Sequence, residues 1–357
     1  VRWALPLLTA AVGACAPPAI PFEWDLPEGF SEPAVPEDNP MSWAKVELGR
    51  HLFYDPRLSL DGTLSCGSCH LQRLAFTDGS ARPTGVTGEV HPRSAMSLAN
   101  AAYVARLSWA NPLLGTLEEQ ALLPLFGESP VELGLVGRED ELFARLSADP
   151  AYPAMFAEAF PEEDGDPIRL GTLLRALAAF ERTLISGNSP FDRYRAGDVD
   201  ALSPEARRGF DLFRRRNCAE CHRGFTFDST LRAAGRPDLV AFHQTGLYDV
   251  DGRGAYPFPN TGVHEVTLQD ADMGRFRAPT LRNIAVTAPY MHDGSMATLD
   301  EVLDHYAAGG RARSGRTSWI LSSFELSPED RAAFHAFFRA LTDEGFLTNP
   351  RFADPFD

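Results

Sequence analysis

The sequence predicts a mainly α protein built from two tandem units of one plan. A five-residue motif occurs twice, "CGSCH" at 66–70 and "CAECH" at 218–222, and its flanks repeat with it. "GRHLF" (49–53) precedes the first copy and "GFDLF" (209–213) the second, a shared G-x-x-L-F; a Phe-Thr pair follows each, Phe76–Thr77 and Phe225–Thr226. Each unit also closes with an apolar stripe at helical spacing. In the first it runs through Leu170, Leu173, Leu174, Leu177 and Leu184, in the second through Phe334, Phe337, Phe338 and Leu341. Both stripes read as core. Ser203-Pro204-Glu205 and Ser327-Pro328-Glu329 are helix starts, with a capping hydroxyl, proline at the first position and an acid in the first turn.

The chain has 357 residues, 44% hydrophobic and 23% charged, enough for two domains with cores of their own. A net charge of −16 argues against nucleic acid or an anionic membrane surface as partner and favours a basic protein or a neutral small substrate. "VRWALPLLTAAVGAC" reads as a secretory signal, one Arg before a short apolar run, too short to span a bilayer. Its "VGAC" resembles a lipobox, which would make Cys15 a lipidation site; an ordinary cleaved signal peptide is the alternative. Residues 16–40 hold seven prolines and predict an extended tether between anchor and body. The expected organisation is signal peptide at 1–15, tether at 16–40, N-terminal domain at 41–197, C-terminal domain at 198–345 and a tail at 346–357.

Setting Cys15 aside, the other four of the five cysteines lie inside the two motifs. Export permits disulfides, but a bridge across two residues is strained, and a His follows each pair directly. C-x-x-C-H is the attachment signature of c-type haem. Two thiols on one helical turn reach the two vinyl groups on one haem edge, and the next residue offers its imidazole to the iron. A redox C-x-x-C and half of a zinc site are the rivals; a second complete motif and the lack of further cysteines count against both. Cys66, Cys69 and His70 would hold one haem, and Cys218, Cys221 and His222 the other. A leading helix, a haem loop and a closing helix make a cytochrome c-like domain, so the expectation is two of these in tandem.

From about residue 41 to 345 the chain resembles the bacterial di-haem cytochrome c peroxidase and MauG superfamily. The stretches that carry the likeness are "LGRHLFYDPRLSLDGTLSCGSCH", "SLANAAY", "LEEQALLPL", "PVELG", "FRAPTLRNIAVTAPYMHDGS" and "TLDEVLDHY". Within that superfamily, "LSWANPLLGTLEEQALLPLFGESPVELG" and "FHQTGLY" are most similar to the MbnH-type enzymes, which are encoded beside a copper-binding partner called MbnP. The resemblance implies a peroxidatic first haem with proximal His70 and an open distal side, where Gln120 and Glu132 move a proton between the peroxide oxygens and Pro124 borders the pocket. It implies an electron-relay second haem with His222 and, as sixth ligand, Tyr306 in place of the peroxidases' Met. Without the resemblance Met273, Met291 or Met296 would be the preferred ligand. Trp109 would carry charge between the haems, although "WANP" replaces the usual W-D-G-R. A calcium ion would be held by the Asn100 side chain and the Thr287 and Pro289 carbonyls, oxygen ligands that suit it.

His91 lies in a Gly-rich loop from which some relatives send a His to the resting peroxidatic iron; a solvated loop His is the alternative. His51, His243, His264, His292, His305 and His335 are unassigned. "DVDG" (249–252) is no EF-hand, since its twelfth position is Asn260. The implied function is peroxide-dependent oxidation of a residue, a tryptophan by the MbnH likeness, on an MbnP-like exported protein through a high-valent di-haem state. The runner-up is a peroxidase fed by a small electron-donor protein, and a di-haem electron carrier is a third reading of another class. All three place the chain in the periplasm, on the membrane only through a lipid anchor.

Overall fold

The computed structural model describes residues 21–232 and 234–357. The expected signal peptide, Cys15 and the first residues of the tether lie outside them. The fold is mainly helical. In chain order come α1 (Trp43–Tyr54), α2 (Cys66–Cys69), α3 (Leu117–Phe126), α4 (Glu139–Ser147), α5 (Tyr152–Ala159), α6 (Leu170–Arg182), α7 (Pro190–Arg195), α8 (Pro204–Arg215), α9 (His264–Thr267), α10 (Leu299–Ala307), α11 (Pro328–Ala340) and α12 (Glu344–Thr348). The sheet is a single pair, β1 (His243–Gln244) antiparallel to β2 (Arg275–Phe276), with His243 opposite Phe276. The helix starts read from sequence are capped as expected: the Ser203 hydroxyl accepts from the Ala206 amide and that of Ser327 from the Asp330 amide. No described helix is long and apolar enough to cross a membrane.

The repeat in the sequence is a repeat in packing. In each half the G-x-x-L-F helix crosses the closing helix at its glycine, α1 on α6 and α8 on α11. A Cβ on Gly49 would lie 1.9 Å from the Ala176 carbonyl oxygen, and one on Gly209 would lie 2.0 Å from that of Ala333. One turn further on, the phenylalanines meet: Phe53 and Phe180 at 5.2 Å between ring centroids, Phe213 and Phe337 at 5.3 Å. Leu48, Leu52 and Phe53 with Leu173, Leu177 and Phe180 centre one core, and Phe213 with Phe334 and Phe337 the other. Each such side chain stabilises the fold by about 1.5–3 kcal/mol through burial.

The structure moves three of the boundaries expected from sequence. Residues 21–40 are not a free tether, because their aromatics are anchored on the body. Phe22 packs on Trp43, and Phe30 meets Tyr103 from one half and Phe225 from the other, with the Arg282 guanidinium 5.1 Å from its ring. Prolines exclude helix and sheet but leave aromatic side chains free to pack. Helix α7, placed by sequence in the first domain, belongs to the second core through Phe191, and Asp192 pairs with buried Arg282. The expected tail returns to the first half, where Phe346, Leu347 and Phe352 join its core and Gln72 donates to the Phe346 and Asn349 carbonyls.

The helix crossings yield a test. Gly49→Ala or Gly209→Ala must push two helices apart, and each is expected to lower stability by about 1–3 kcal/mol. This would appear as a fall in the urea midpoint of the mature protein. Gly171→Ala, on an exposed turn of α6 where the nearest atom is the flexible Arg169 guanidinium, should leave the midpoint unchanged or slightly raised. Equal midpoints for Gly49→Ala and Gly171→Ala would show that the crossing tolerates a side chain.

Candidate functional site

Both C-x-x-C-H motifs fold as one tight turn followed by a loop that hooks back onto the histidine. Cys66 and Cys69 lie on α2 and Cys218 opens a 3₁₀ turn; none of the four forms a disulfide. Nδ1–H of His70 donates to the Phe76 carbonyl at 2.7 Å, and Nδ1–H of His222 is shared between the Phe227 and Pro279 carbonyls at 3.2 and 3.0 Å. Such a bond fixes the tautomer and leaves Nε2 free as a ligand. Burial lowers the pKa of both rings, that of His222 to about 4, so both stay neutral as metal ligation requires. The carbonyls are aimed by left-handed residues, Phe76 at φ 62° and Phe227 at φ 54°. That conformation costs about 1–2 kcal/mol per residue, offset by burying both rings. The structural counterpart of Phe76 is therefore Phe227; the Phe225–Thr226 pair that matched it in sequence lies two residues too early.

The surroundings of the two histidines differ. Beside the first motif, α3 carries Gln120 and Pro124, and an extended segment after it carries Glu132. The Pro124 carbonyl accepts from the Leu133 amide, and the Glu132 carbonyl from the Val86 amide, so the glutamate is held between α3 and the loop at 84–91. The Glu132 carboxylate is near enough to raise the pKa of both Cys66 and Cys69 electrostatically. A third of its side chain is open (35%), yet burial alone pushes its pKa up to about 7. The Gln120 Oε1 is buried with no partner. Nε2 of His91 stands 3.7 Å from Glu132 Oε1. Burial lowers the His91 pKa. The His91 loop is bolted to the second half by Arg93, which bonds Asn260 and Glu265.

Beside the second motif lies a cavity with about 1650 Å³ of empty space, open mouth included, lined by Cys218, Cys221, His222, Trp109, Met291 and Tyr306 among others. Tyr306 comes from α10 and lines the same cavity; burial raises its pKa, and Cys221 and Cys218 raise it further. Met291 and Met96 are thioethers at the same cavity, while Met296 is buried in a neighbouring cluster and Met273 does not reach the lining. Three buried nitrogens without partners are also in the lining residues: Nε2 of His243, Nε2 of His292 and Nε of Arg277. Paired thiols, a free imidazole nitrogen, a phenol oxygen and orphaned polar atoms together fit a c-type haem.

Trp109 bonds to backbone from both halves. Its indole N–H donates to the Ser94 carbonyl at 2.9 Å, and its own carbonyl accepts from the Arg277 amide. The segment from Ser94 to Ser97 runs on to the first motif, where the Ser97 hydroxyl donates to the Ala75 carbonyl. The Asn100 Nδ2 donates to the Ser186 carbonyl and its Oδ1 accepts from the Ser186 amide, which leaves Oδ1 a second lone pair, while Thr287 and Pro289 line the cavity. Ser94 shares that lining. The left-handed Asn100 thus also serves backbone pairing. Its equivalent, Asn283 in "TLRN", was missed; the shared L-x-N after each motif was the available signal.

Residues 43–200 match the family described as di-haem cytochrome c peroxidase. The methylamine utilization protein MauG of Methylorubrum extorquens is 35% identical over 87% of this chain and 81% of its own length. The cytochrome-c peroxidase IdrP1 of Denitromonas iodatirespirans is 36% identical over 90% of this chain and 86% of its own. The chain belongs to the di-haem cytochrome c peroxidase and MauG family. It is a haem peroxidase-type oxidoreductase. Among solved structures, a MauG-like protein associated with microbial copper homeostasis is 46% identical, covers 94% of this chain and 100% of its own, and superposes with a TM-score of 0.91. The diheme peroxidase BthA of Burkholderia thailandensis, 21% identical with a TM-score of 0.66 over 88% of this chain and 90% of its own, shares the fold.

A family peroxidase needs a base to take one proton from peroxide, and Glu132 is the group that the family resemblance puts forward. With its pKa near 7 the basic form accumulates above that pH. The second-order rate with hydrogen peroxide should therefore rise between about pH 6 and 8. Glu132→Gln should flatten this profile and slow the reaction by about 10²–10⁴-fold with both haems retained. A full-rate variant in stopped-flow would remove Glu132 from the chemistry.

Proposed function

We propose that this chain uses peroxide to oxidise a residue on an exported partner protein, in the manner of the MauG and MbnH enzymes, with two covalently held haems doing different work. The observation that carries the reading is Tyr306 in one cavity with Cys218, Cys221 and His222. A phenolate is a hard anionic donor that favours high oxidation states, where a thioether favours reduction. The haems, once attached, supply the two-electron reduction of peroxide. Around the first, Glu132 and Gln120 handle the proton and Pro124 borders the distal side. Around the second, Tyr306 allows an oxidising equivalent to be held until a partner arrives, and Trp109 lies between the two.

The 46% identity to a MauG-like protein associated with copper homeostasis supports an MbnP-like copper-binding partner, with tryptophan as the residue oxidised. Export, two cytochrome c-like domains and a lipid anchor at Cys15 complete the reading, which places the enzyme in the periplasm. For calcium, the Asn100 side chain and the Thr287 and Pro289 carbonyls are the expected ligands. Met291 in the same lining favours a second reading, a peroxidase fed by a small electron-donor protein.

Two measurements decide. Mass spectrometry of the mature chain should show two haem additions, and fewer than two would overturn the di-haem reading. The wild-type ferric spectrum should lack the near-infrared band of a thioether ligand. Tyr306→Phe should convert the low-spin haem to high spin and abolish partner oxidation, while haem stays attached through Cys218 and Cys221. A thioether band, or a Phe variant with its low-spin haem intact, would make Met291 the ligand and the peroxidase the better reading.

A further inference from the structure

His292 and Asp293, adjacent in "YMHDGS", have no part in the chemistry described so far. The His292 ring is 5% exposed and stacks flat on Phe276, with centroids 3.8 Å apart and planes at 16°. It stands edge-on to Trp109 on one side, 6.5 Å between centroids, and to Tyr248 on the other, also 6.5 Å. Tyr248 is half-buried, and its hydroxyl donates to Asp293 Oδ2 at 2.6 Å. The Arg311 guanidinium lies 5.9 Å from the Tyr248 ring. Tyr256 is as close to His292, at 6.0 Å, but it is 3% exposed and its hydroxyl oxygen accepts from the Leu247 amide.

The two tyrosines therefore differ in one chemical respect. A phenol that loses an electron becomes a very strong acid, and its oxidation is accessible when a base takes the proton at once. Tyr248 has that base at a short, charge-assisted distance; no carboxylate is bonded to the Tyr256 hydroxyl among the described residues. The cation beside Tyr248 disfavours a positively charged ring, so electron and proton must leave together.

We propose that Tyr248 is a redox relay that carries an oxidising equivalent from Trp109 to the protein surface, with Asp293 as its proton acceptor. This rests on the reading that Trp109 carries charge after reaction with peroxide. One electron passes from Tyr248 to the Trp109 radical cation, restoring the indole, while the phenol proton moves to the Asp293 carboxylate. The result is a neutral Tyr248 radical and a protonated Asp293. An electron from a donor at the surface, with the proton returning from Asp293, regenerates the phenol and leaves the donor oxidised by one electron. His292 packs edge-on against both rings.

The test is freeze-quench electron paramagnetic resonance on the haem-loaded protein mixed with hydrogen peroxide and no partner, with and without ring-deuterated tyrosine. The wild type and Tyr256→Phe should give a tyrosyl signal that narrows on deuteration. Tyr248→Phe should lose it, and Asp293→Asn should reduce it at least several-fold, with optical spectra showing peroxide still consumed. A tyrosyl signal that persists in Tyr248→Phe, or no tyrosyl signal in a wild type whose haems are both oxidised by peroxide, would overturn the relay. Trp109→Phe separates this from the reading beneath it: if peroxide still oxidises the second haem at the wild-type rate in that variant, the role of Trp109 itself is lost.

Discussion

The two halves are joined by a knot of buried polar side chains, and the placement of everything functional follows from it. Asn100 and Asn283 both sit in left-handed backbone, and both direct their amides to Ser186, one to its backbone and one to its hydroxyl. Asp343 accepts from the Gly187 and Asn188 amides, and its own amide donates to Asn283 Oδ1. All four side chains are at most 3% exposed. A buried polar group without a partner costs about 1–3 kcal/mol. Sliding one half on the other would strip several at once, so one arrangement is strongly favoured. Charge transfer between two sites needs a fixed separation, and an apolar interface alone would allow sliding of the kind this knot forbids.

The same device explains how one plan gives two different sites. What repeats is the part that holds a histidine: a glycine crossing, a left-handed phenylalanine whose carbonyl takes Nδ1–H, and an L-x-N that ties the loop to the end of the closing helix. What differs lies on the other side. The first copy receives an extended segment that brings a desolvated carboxyl, Glu132. The second receives helix α10 and a phenol. The conserved frame keeps the proximal side constant, so the character of each site is set by the group delivered opposite it.

Legibility in the sequence divides along this line. The frame was readable because its signals are local: adjacent Cys and His, Ser-Pro-Glu helix starts, and a glycine at a fixed distance from Leu-Phe. Glu132 and Tyr306 are put forward by resemblance alone, since an isolated Glu in a loop and a Tyr on a helix carry no local mark of burial. The tether, the α7 boundary and the tail were misplaced because each is settled by contacts distant in sequence. Phe30 finds Phe225, Phe191 finds Phe337, and Phe346 finds Phe76, and nothing in the composition of residues 21–40 or 346–357 announces a partner so far away. Asn100 shows what a short motif leaves out: the structure also uses that side chain to pair backbone.

The returning ends have a consequence for the first site. Its haem loop is covered by Phe346, which lies 5.6 Å from Phe76, and by Gln72, which bonds the carbonyls of the C-terminal segment. The carbonyl that orients His70 thus belongs to a residue packed under the last helix of the chain. The His91 loop, which meets Glu132, is held in turn by Arg93 on residues of the second half. Both faces of the first site are therefore braced by segments from beyond the second motif. A haem site needs its loops fixed, and the chain meets that need by folding its two halves through each other rather than end to end.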